Sequence, residues 1–271
     1  MKKLILASLL MTVFMSCEDV IQVDLETAKT RLVIDASLNW IKGSDGSEQN
    51  IKLSLTAPYF SDNIPPATGA TVTVTDSNSN TFSFIEEGTT GIYKNNMFIP
   101  EIDGTYILNI DYNNEVYTAT ETLKSVTLIE SVEQKNDGGF SGDEIEIKAF
   151  YTDPENIENY YLFEFIKSST GAINLEVYDD EFTDGNQIFA FHSDETLVSG
   201  DLLEIKCHGI SERTFNYLNI LLQQTDDESG DPFETQPASV RGNCINQTNP
   251  DNYPLGYFRV SETSHIDYLI E

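Results

Sequence analysis

The chain has 271 residues with 45 acidic and 15 basic side chains, which gives a formal net charge of −30. A protein this acidic, taken as a whole, should repel nucleic acid and anionic membrane surfaces, so the composition excludes a nucleic-acid partner. The length is enough for one large domain or two ordinary ones.

The first residues have the order of a bacterial secretory signal. Lys2 and Lys3 carry positive charge, residues 4–14 are mostly apolar, and a small residue, Ser16, precedes Cys17. The apolar stretch is shorter than the roughly 20 residues that cross a bilayer as a helix. The pattern therefore predicts a signal peptide over residues 1–16.

A small residue followed by cysteine at the end of such a stretch resembles the lipobox of bacterial lipoproteins, although Phe14 stands where leucine is commoner. Cys17 is therefore predicted to carry acyl chains such as palmitate and to hold the protein on outer-membrane lipid, because two or more acyl chains anchor a protein stably. The alternative is an ordinary thiol just past a cleavage site.

Glu18 and Asp19 follow Cys17 and resemble the acidic export signal of Bacteroidota lipoproteins that reach the cell exterior. They predict a protein on the outside of the outer membrane, with a periplasm-facing anchor as the alternative. Loss of Lys2 and Lys3 with the signal peptide would change the formal charge from −30 to about −32.

After a lipidated acidic tether over residues 17–30, the sequence is dominated by short runs of alternating or β-branched residues separated by turn residues. Glycine-rich turns and alternating strands over residues 31–125 resemble small β-sandwich modules of the immunoglobulin-like or carboxypeptidase-regulatory-like kind. The clearest runs are residues 32–34, 51–55, 71–74, 81–84 and 106–110.

A second β-rich domain is predicted over residues 126–271, where the strand pattern restarts beyond Ser125. One segment differs. Near 211–225, Phe215, Leu218 and Leu222 recur at helical spacing after Ser211, which is a plausible N-cap. We expect one helix there, with its apolar stripe packed against a sheet.

Two cysteines remain once Cys17 is lipidated. An even number in an oxidising compartment makes Cys207 and Cys244 candidates for a disulfide, with two free thiols as the alternative. No zinc-ligand spacing accompanies them.

The sequence contains no hydrolase, metalloprotease or phosphate-binding motif, so we expect a protein that is not an enzyme. Two clusters of carboxylates in predicted loops offer the oxygen ligands that calcium prefers, although solvated acidic loops are the simpler interpretation. These weak calcium candidates are Asp179, Asp180, Asp184, Asp226, Asp227 and Asp231.

Several short motifs together resemble a family of Bacteroidota lipoproteins, domain of unknown function 4249 (DUF4249). They include the acidic pair after Cys17, residues 69–72, residues 241–243 and, most specifically, residues 254–261. Cys244 stands where an apolar residue would be expected.

The resemblance implies a surface lipoprotein that acts as an accessory or substrate-capture subunit of a TonB-dependent nutrient uptake system, with the outer-membrane receptor as its partner. The alternatives are an adhesin-like structural surface module and, third, a hydrolase that uses a pair of carboxylates.

Overall fold

The computed structural model describes residues 28–59, 61, 63–139, 142, 144–225 and 240–271. The predicted signal peptide, Cys17, Glu18 and Asp19 lie outside these ranges. The described residues form one helix, α1 (Glu212–Thr225). They form fifteen strands: β1 Leu32–Ile41, β2 Gln49–Leu55, β3 Thr71–Asp76, β4 Thr81–Glu86, β5 Ile92–Asn95, β6 Thr105–Tyr112, β7 Glu115–Thr122, β8 Ser131–Gly138, β9 Glu144–Thr152, β10 Tyr160–Lys167, β11 Ala172–Asp179, β12 Gln187–Asp194, β13 Leu202–Gly209, β14 Ile245–Asn246 and β15 Leu255–Leu269. The predicted mainly β fold is confirmed.

Twelve strands form one continuous sheet in the order β11-β10-β13-β15-β1-β2-β5-β4-β3-β6-β7-β14. Strand β4 pairs with β5 through Ile85 and Glu86 and with β3 through the residues before them, so the sheet turns a corner there. The two halves on either side of β4 face each other as a sandwich. Alternate residues such as Ile34, Leu53 and Val72 fill the space between them, which is the first core.

The second core lies between the β11-β10-β13 end of the large sheet and a separate three-stranded sheet in the order β12-β9-β8. Aromatic residues dominate it. The Tyr151 ring lies 5.0 Å from that of Tyr161 and 5.2 Å from that of Phe163. Cys207 of β13 is fully buried among them.

Strand β15 belongs to both cores. Its first part, from Leu255 to Thr263, runs parallel to β1, and its second part, from Thr263 to Leu269, runs antiparallel to β13. Because side chains alternate along a strand, one face of β15 contributes Phe258 and Val260 to the first core and Ile266 and Tyr268 to the second.

Between these two apolar pairs, the same face of β15 carries Glu262 and Ser264. The Glu262 carboxylate accepts hydrogen bonds from Lys42 Nζ at 2.7 Å and from the backbone N–H of Val126 at 3.0 Å. The Ser264 hydroxyl accepts one from the backbone N–H of Ile129 at 3.0 Å. The connection from the first unit to the second is therefore fixed to the shared strand by buried polar contacts.

The returning chain crosses the boundary predicted near residue 125. Residues 126–271 were all assigned to the second domain, whereas β14 pairs with β7 and the first part of β15 pairs with β1. Cys244 and Phe258 accordingly lie in the first core. The alternating pattern of residues 255–263 indicates a strand but carries no information about which strand lies beside it.

The predicted helix is confirmed as α1. Ser211 caps it, since its hydroxyl accepts a hydrogen bond from the backbone N–H of Thr214 at 3.2 Å. The helix packs on β10 and β11, and the Phe215 ring lies 5.2 Å from the Tyr160 ring. Phe215, Leu218 and Leu222 are only half-buried, because the helix lies at the edge of the sheet.

Candidate functional site

An acidic cleft of about 410 Å³ opens at the end of the second unit, where the loops after β9 and β11 meet the start of α1. Each loop begins where a strand of the second core ends, so the core holds the mouth of the cleft in place. The lining residues are Asn156, Ile157, Glu158, Tyr160, Asp179, Asp180, Glu181, Asp184, Glu212, Phe215 and Asn216.

Three carboxylates come together beside this cleft. Asp153, Asp180 and Asp184 each place a carboxylate oxygen within 4.8 Å of the others. Asp153 is 1% exposed and Asp180 is 6% exposed, and neither forms an ion pair with a described basic residue. Hydrogen-bond donors take the place of a counter-charge.

Those donors are mostly backbone amides. Asp180 accepts from the N–H of Asn159 at 2.8 Å, and Asp184 accepts from that of Asn156 at 2.7 Å. Asp153 accepts from the Tyr161 hydroxyl at 2.6 Å. Such bonds stabilise the charged carboxylate and fix its direction.

The like charges nevertheless disturb Asp153. Burial raises the pKa of this carboxyl group and the charges of Asp180 and Asp184 raise it further, whereas the hydrogen bond from Tyr161 lowers it. Burial also raises the pKa of Tyr161, and the bond to Asp153 adds to that shift. Three converging carboxylates are chemically suited to holding a hard cation through oxygen ligands.

One wall of the cleft is aromatic. Tyr160 donates a hydrogen bond to Glu158 at 2.6 Å, and this bond raises the pKa of the phenol. With Phe215 it forms a half-buried ring pair beside the carboxylates. A negative cleft with an aromatic wall favours ligands that carry both a cationic group and an apolar surface.

Of the six weak calcium candidates, Asp180 and Asp184 come together, and Asp179 lines the same cleft. Asp226, Asp227 and Asp231 lie outside the described residues. No local pattern singles out Asp153, which lies 27 residues before Asp180 and joins the cluster only through the pairing of strands. The calcium hypothesis for Asp180 and Asp184 stays a prediction. Measuring the melting temperature of the protein at increasing calcium concentrations tests it.

The candidate disulfide between Cys207 and Cys244 is wrong, because both thiols are free. Cys207 lies in the second core and Cys244 in the first. Burial raises the pKa of both thiols, that of Cys244 to about 12. Both groups are therefore protonated and unreactive at neutral pH.

A cluster of polar and charged side chains around the buried His208 lies on the face of the large sheet that points away from the second core. His208 Nδ1 lies 2.8 Å from the Thr263 hydroxyl, and Nε2 lies 3.4 Å from Glu164 Oε1. Burial and the nearby Arg259 hold the pKa of His208 at about 4, so the imidazole is neutral at neutral pH. Although burial alone would raise it, contacts with His208 and Arg259 lower the pKa of Glu164 to about 2.

The order hydroxyl, imidazole, carboxylate is that of a nucleophilic triad, but His208 is 0% exposed and Thr263 is 1% exposed. A substrate cannot reach either group, so this arrangement is structural. His208 also points away from Cys207, as expected for neighbouring residues of one strand.

The fold and the cleft define a mostly β protein with two cores joined by one shared strand and an acidic cleft on the second unit. Residues 18–266 match the model of the family described as domain of unknown function (DUF4249). The chain belongs to this family, as its motifs predicted.

Comparison with curated proteins gives no match. Among solved structures, the chain is similar to a segment of two fibronectin type-III domains from chicken tenascin, at 10% identity and a TM-score of 0.23. The similarity covers 61% of this chain and 86% of that one. A TM-score this low does not define a shared topology. Among the described residues, no helix has the length and apolar character needed to cross a membrane.

Proposed function

We propose that this protein is a lipid-anchored lipoprotein on the outer face of the outer membrane, where it acts as an accessory or substrate-capture subunit of a TonB-dependent uptake system. The observation that carries the proposal is Cys17, which follows a signal-like apolar stretch and precedes Glu18 and Asp19. An acyl anchor at this position leaves the rest of the chain free to meet a receptor.

The described body supports this role in two ways. Its strands pack their apolar faces into two cores, and the proposal assigns attachment to the acyl chains. Its cleft offers convergent carboxylates and a Tyr160–Phe215 wall, which are the kinds of group that orient a small ligand.

Co-purification tests the proposal directly. Outer membranes are extracted with a gentle detergent, the protein is captured through a tag placed after Glu271, and its partners are identified by mass spectrometry. We expect a TonB-dependent barrel in stoichiometric amount. The Cys17→Ser variant is the control, and it should lose both palmitate labelling and the barrel.

The second candidate is an adhesin-like surface module, which two β-rich cores with exposed connecting loops would suit. It predicts a lone lipoprotein in the capture experiment and binding to host or matrix polymers. Recovery of Cys17-acylated protein without a barrel would overturn the transport role and favour this candidate.

A further inference from the structure

Most of the described basic residues are neutralised by a carboxylate. Seven form ion pairs within 4.0 Å: Lys42, Lys94, Lys124, Lys135, Lys167, Lys206 and Arg259. Six others, Lys29, Arg31, Lys52, Lys148, Arg213 and Arg241, have no such partner among the residues that the structure describes. Two of these six, Arg31 and Arg241, lie on the ring of Tyr253, and Lys29 lies two residues before Arg31.

Tyr253 holds two of them. The Arg31 guanidinium carbon lies 3.6 Å from the centre of the Tyr253 ring, and that of Arg241 lies 3.9 Å from it. Arg31 also donates to the backbone carbonyl of Tyr253 at 3.0 Å and to that of Asp251 at 3.2 Å. The ring and the carbonyls fix both groups in place without cancelling their charge.

The Glu115 carboxylate of β7 contacts the same loop but forms no ion pair with either arginine. Glu115 accepts hydrogen bonds from the Tyr117 hydroxyl at 2.6 Å and from the side chain of Asn252 at 2.6 Å. The Asp251 carboxylate lies on the same loop but forms no ion pair with Arg31. Two like charges held on one ring, with no described anion between them, form a surface ready to bind an external anion.

This surface lies where the tether enters the body. Lys29 and Arg31 immediately precede β1, and the described chain begins at residue 28, eleven residues after Cys17. Eleven extended residues span at most about 40 Å. We call Lys29, Arg31, Arg241 and Tyr253 the basic pole.

We propose that the basic pole docks against the phosphate groups of membrane lipids that carry a net negative charge and so holds the body in one orientation on the membrane. This docking proposal rests on the lipid anchor proposed above. Guanidinium groups match phosphate in a bidentate geometry, and a tyrosine between them suits the headgroup region. The rest of the body has an excess of acidic residues that the same phosphates repel, which favours the orientation in which this pole faces them.

The free cysteines make a direct test feasible. Cys207 and Cys244 are buried, so in the chain from Cys17 onward only the Cys17 thiol should react with a maleimide lipid. The chain is coupled in this way to vesicles of phosphatidylcholine, alone or mixed with phosphatidylglycerol. Amide hydrogen exchange is then followed in peptides that cover residues 28–31 and 249–254.

We expect slower exchange in these peptides on the phosphatidylglycerol vesicles only, with the protection lost in high salt. The exposed turn at residues 76–80 should not change. Each basic residue near an anionic surface contributes about a fivefold preference, so Arg31→Gln with Arg241→Gln should weaken docking about 25-fold.

The matched control is Lys94→Gln with Lys124→Gln, which removes the same charge from two other exposed sites. Lys29→Gln breaks no described contact and should weaken docking by itself about fivefold, which keeps the test valid if the arginine variant folds poorly. Equal exchange on both vesicles, or equal loss in the arginine and lysine double variants, would overturn the proposal. Because the anchor is synthetic, a failure to co-purify a barrel would leave this result untouched.

Discussion

At the scale of single residues, the buried polar groups of this protein separate into two kinds. Glu262 is 6% exposed and fully paired at the junction of the cores. Asp153 is 1% exposed and is surrounded by like charge. Removing Glu262 should therefore lower the free energy of unfolding, whereas removing a like charge beside Asp153 should raise it.

The Glu262→Ala substitution would leave Lys42 Nζ without its carboxylate and the buried N–H of Val126 without an acceptor. Leaving the buried N–H of Val126 unsatisfied costs about 2 kcal/mol in the free energy of unfolding, to be measured by urea denaturation. Because the Lys42 side chain is itself 36% exposed, loss of the ion pair adds little to that cost. The control is Glu87→Ala, whose partner Lys94 is as exposed as Glu87 itself, and it should cost less than about 1 kcal/mol. Equal losses of unfolding free energy in the two variants would show that Glu262 stabilises the protein no more than an exposed ion pair does.

The raised pKa of Asp153 has a defined sign. A carboxyl group whose pKa is higher in the folded state favours folding less once it ionises, so its cost to stability is present above the folded pKa. That cost disappears as the pH falls through the folded pKa towards the ordinary value of 3.8.

The Asp184→Asn substitution keeps the acceptor for Asn156 but removes one of the repelling charges. We expect it to lower the pKa of Asp153 in a carboxyl NMR titration and to raise stability at neutral pH. Glu181→Gln changes the charge of the cleft without touching the three-carboxylate cluster and serves as control. A larger pKa change in the control would contradict this account.

At the scale of elements, β15 is the strand on which both cores depend, and Gly256 sets its approach to β1. Gly256 has φ +90°, and a Cβ added there would lie 2.0 Å from the backbone oxygen of Ile34. Only glycine can therefore start the parallel pairing of β15 with β1.

The Gly256→Ala substitution should destabilise the protein by more than about 2 kcal/mol, because it adds a backbone collision to an unfavourable φ. Gly200→Ala is matched to it, since Gly200 has φ +95° and nothing within 4 Å of the added Cβ. The control should cost only about 1 kcal/mol, so the difference in thermal unfolding measures the close approach of the two strands. If Gly256→Ala and Gly200→Ala lower the stability equally, the close approach of β15 to β1 does not limit the residue at position 256.

The elements themselves were predictable from local pattern, but their partners were not. Alternation over residues 71–74 and 106–110 identified strands, and Ser211 with the 3.6-residue period identified α1, because these signals depend on near neighbours in sequence. The pairing of residues 255–263 with β1 joins segments more than 200 residues apart. Asp153 was missed for the same reason, since tertiary contacts alone bring it to Asp180.

At the scale of the whole molecule, the shared strand couples two cores that would otherwise resemble separate domains. We expect one cooperative unfolding transition. Trp40 is the single tryptophan and packs on the first core, so its fluorescence reports that unit. Protection of β10 and β13 amides from hydrogen exchange reports the second.

Both probes should give the same midpoint in urea, and Gly256→Ala should shift both by the same amount although it lies in the first unit. Gly200→Ala, in the second unit, should likewise move both midpoints together. Two separate midpoints would show that β15 can leave one core while it remains in the other.

The late position of β15 in the sequence also determines when the protein can fold. Until residues 255–270 have been synthesised, β1 lacks its parallel neighbour and β13 lacks the strand beside it, so neither core can close. The nascent chain thus stays without a finished core through most of its synthesis. That delay would suit the proposed export, because a chain threaded unfolded through a translocation pore must not close its cores beforehand.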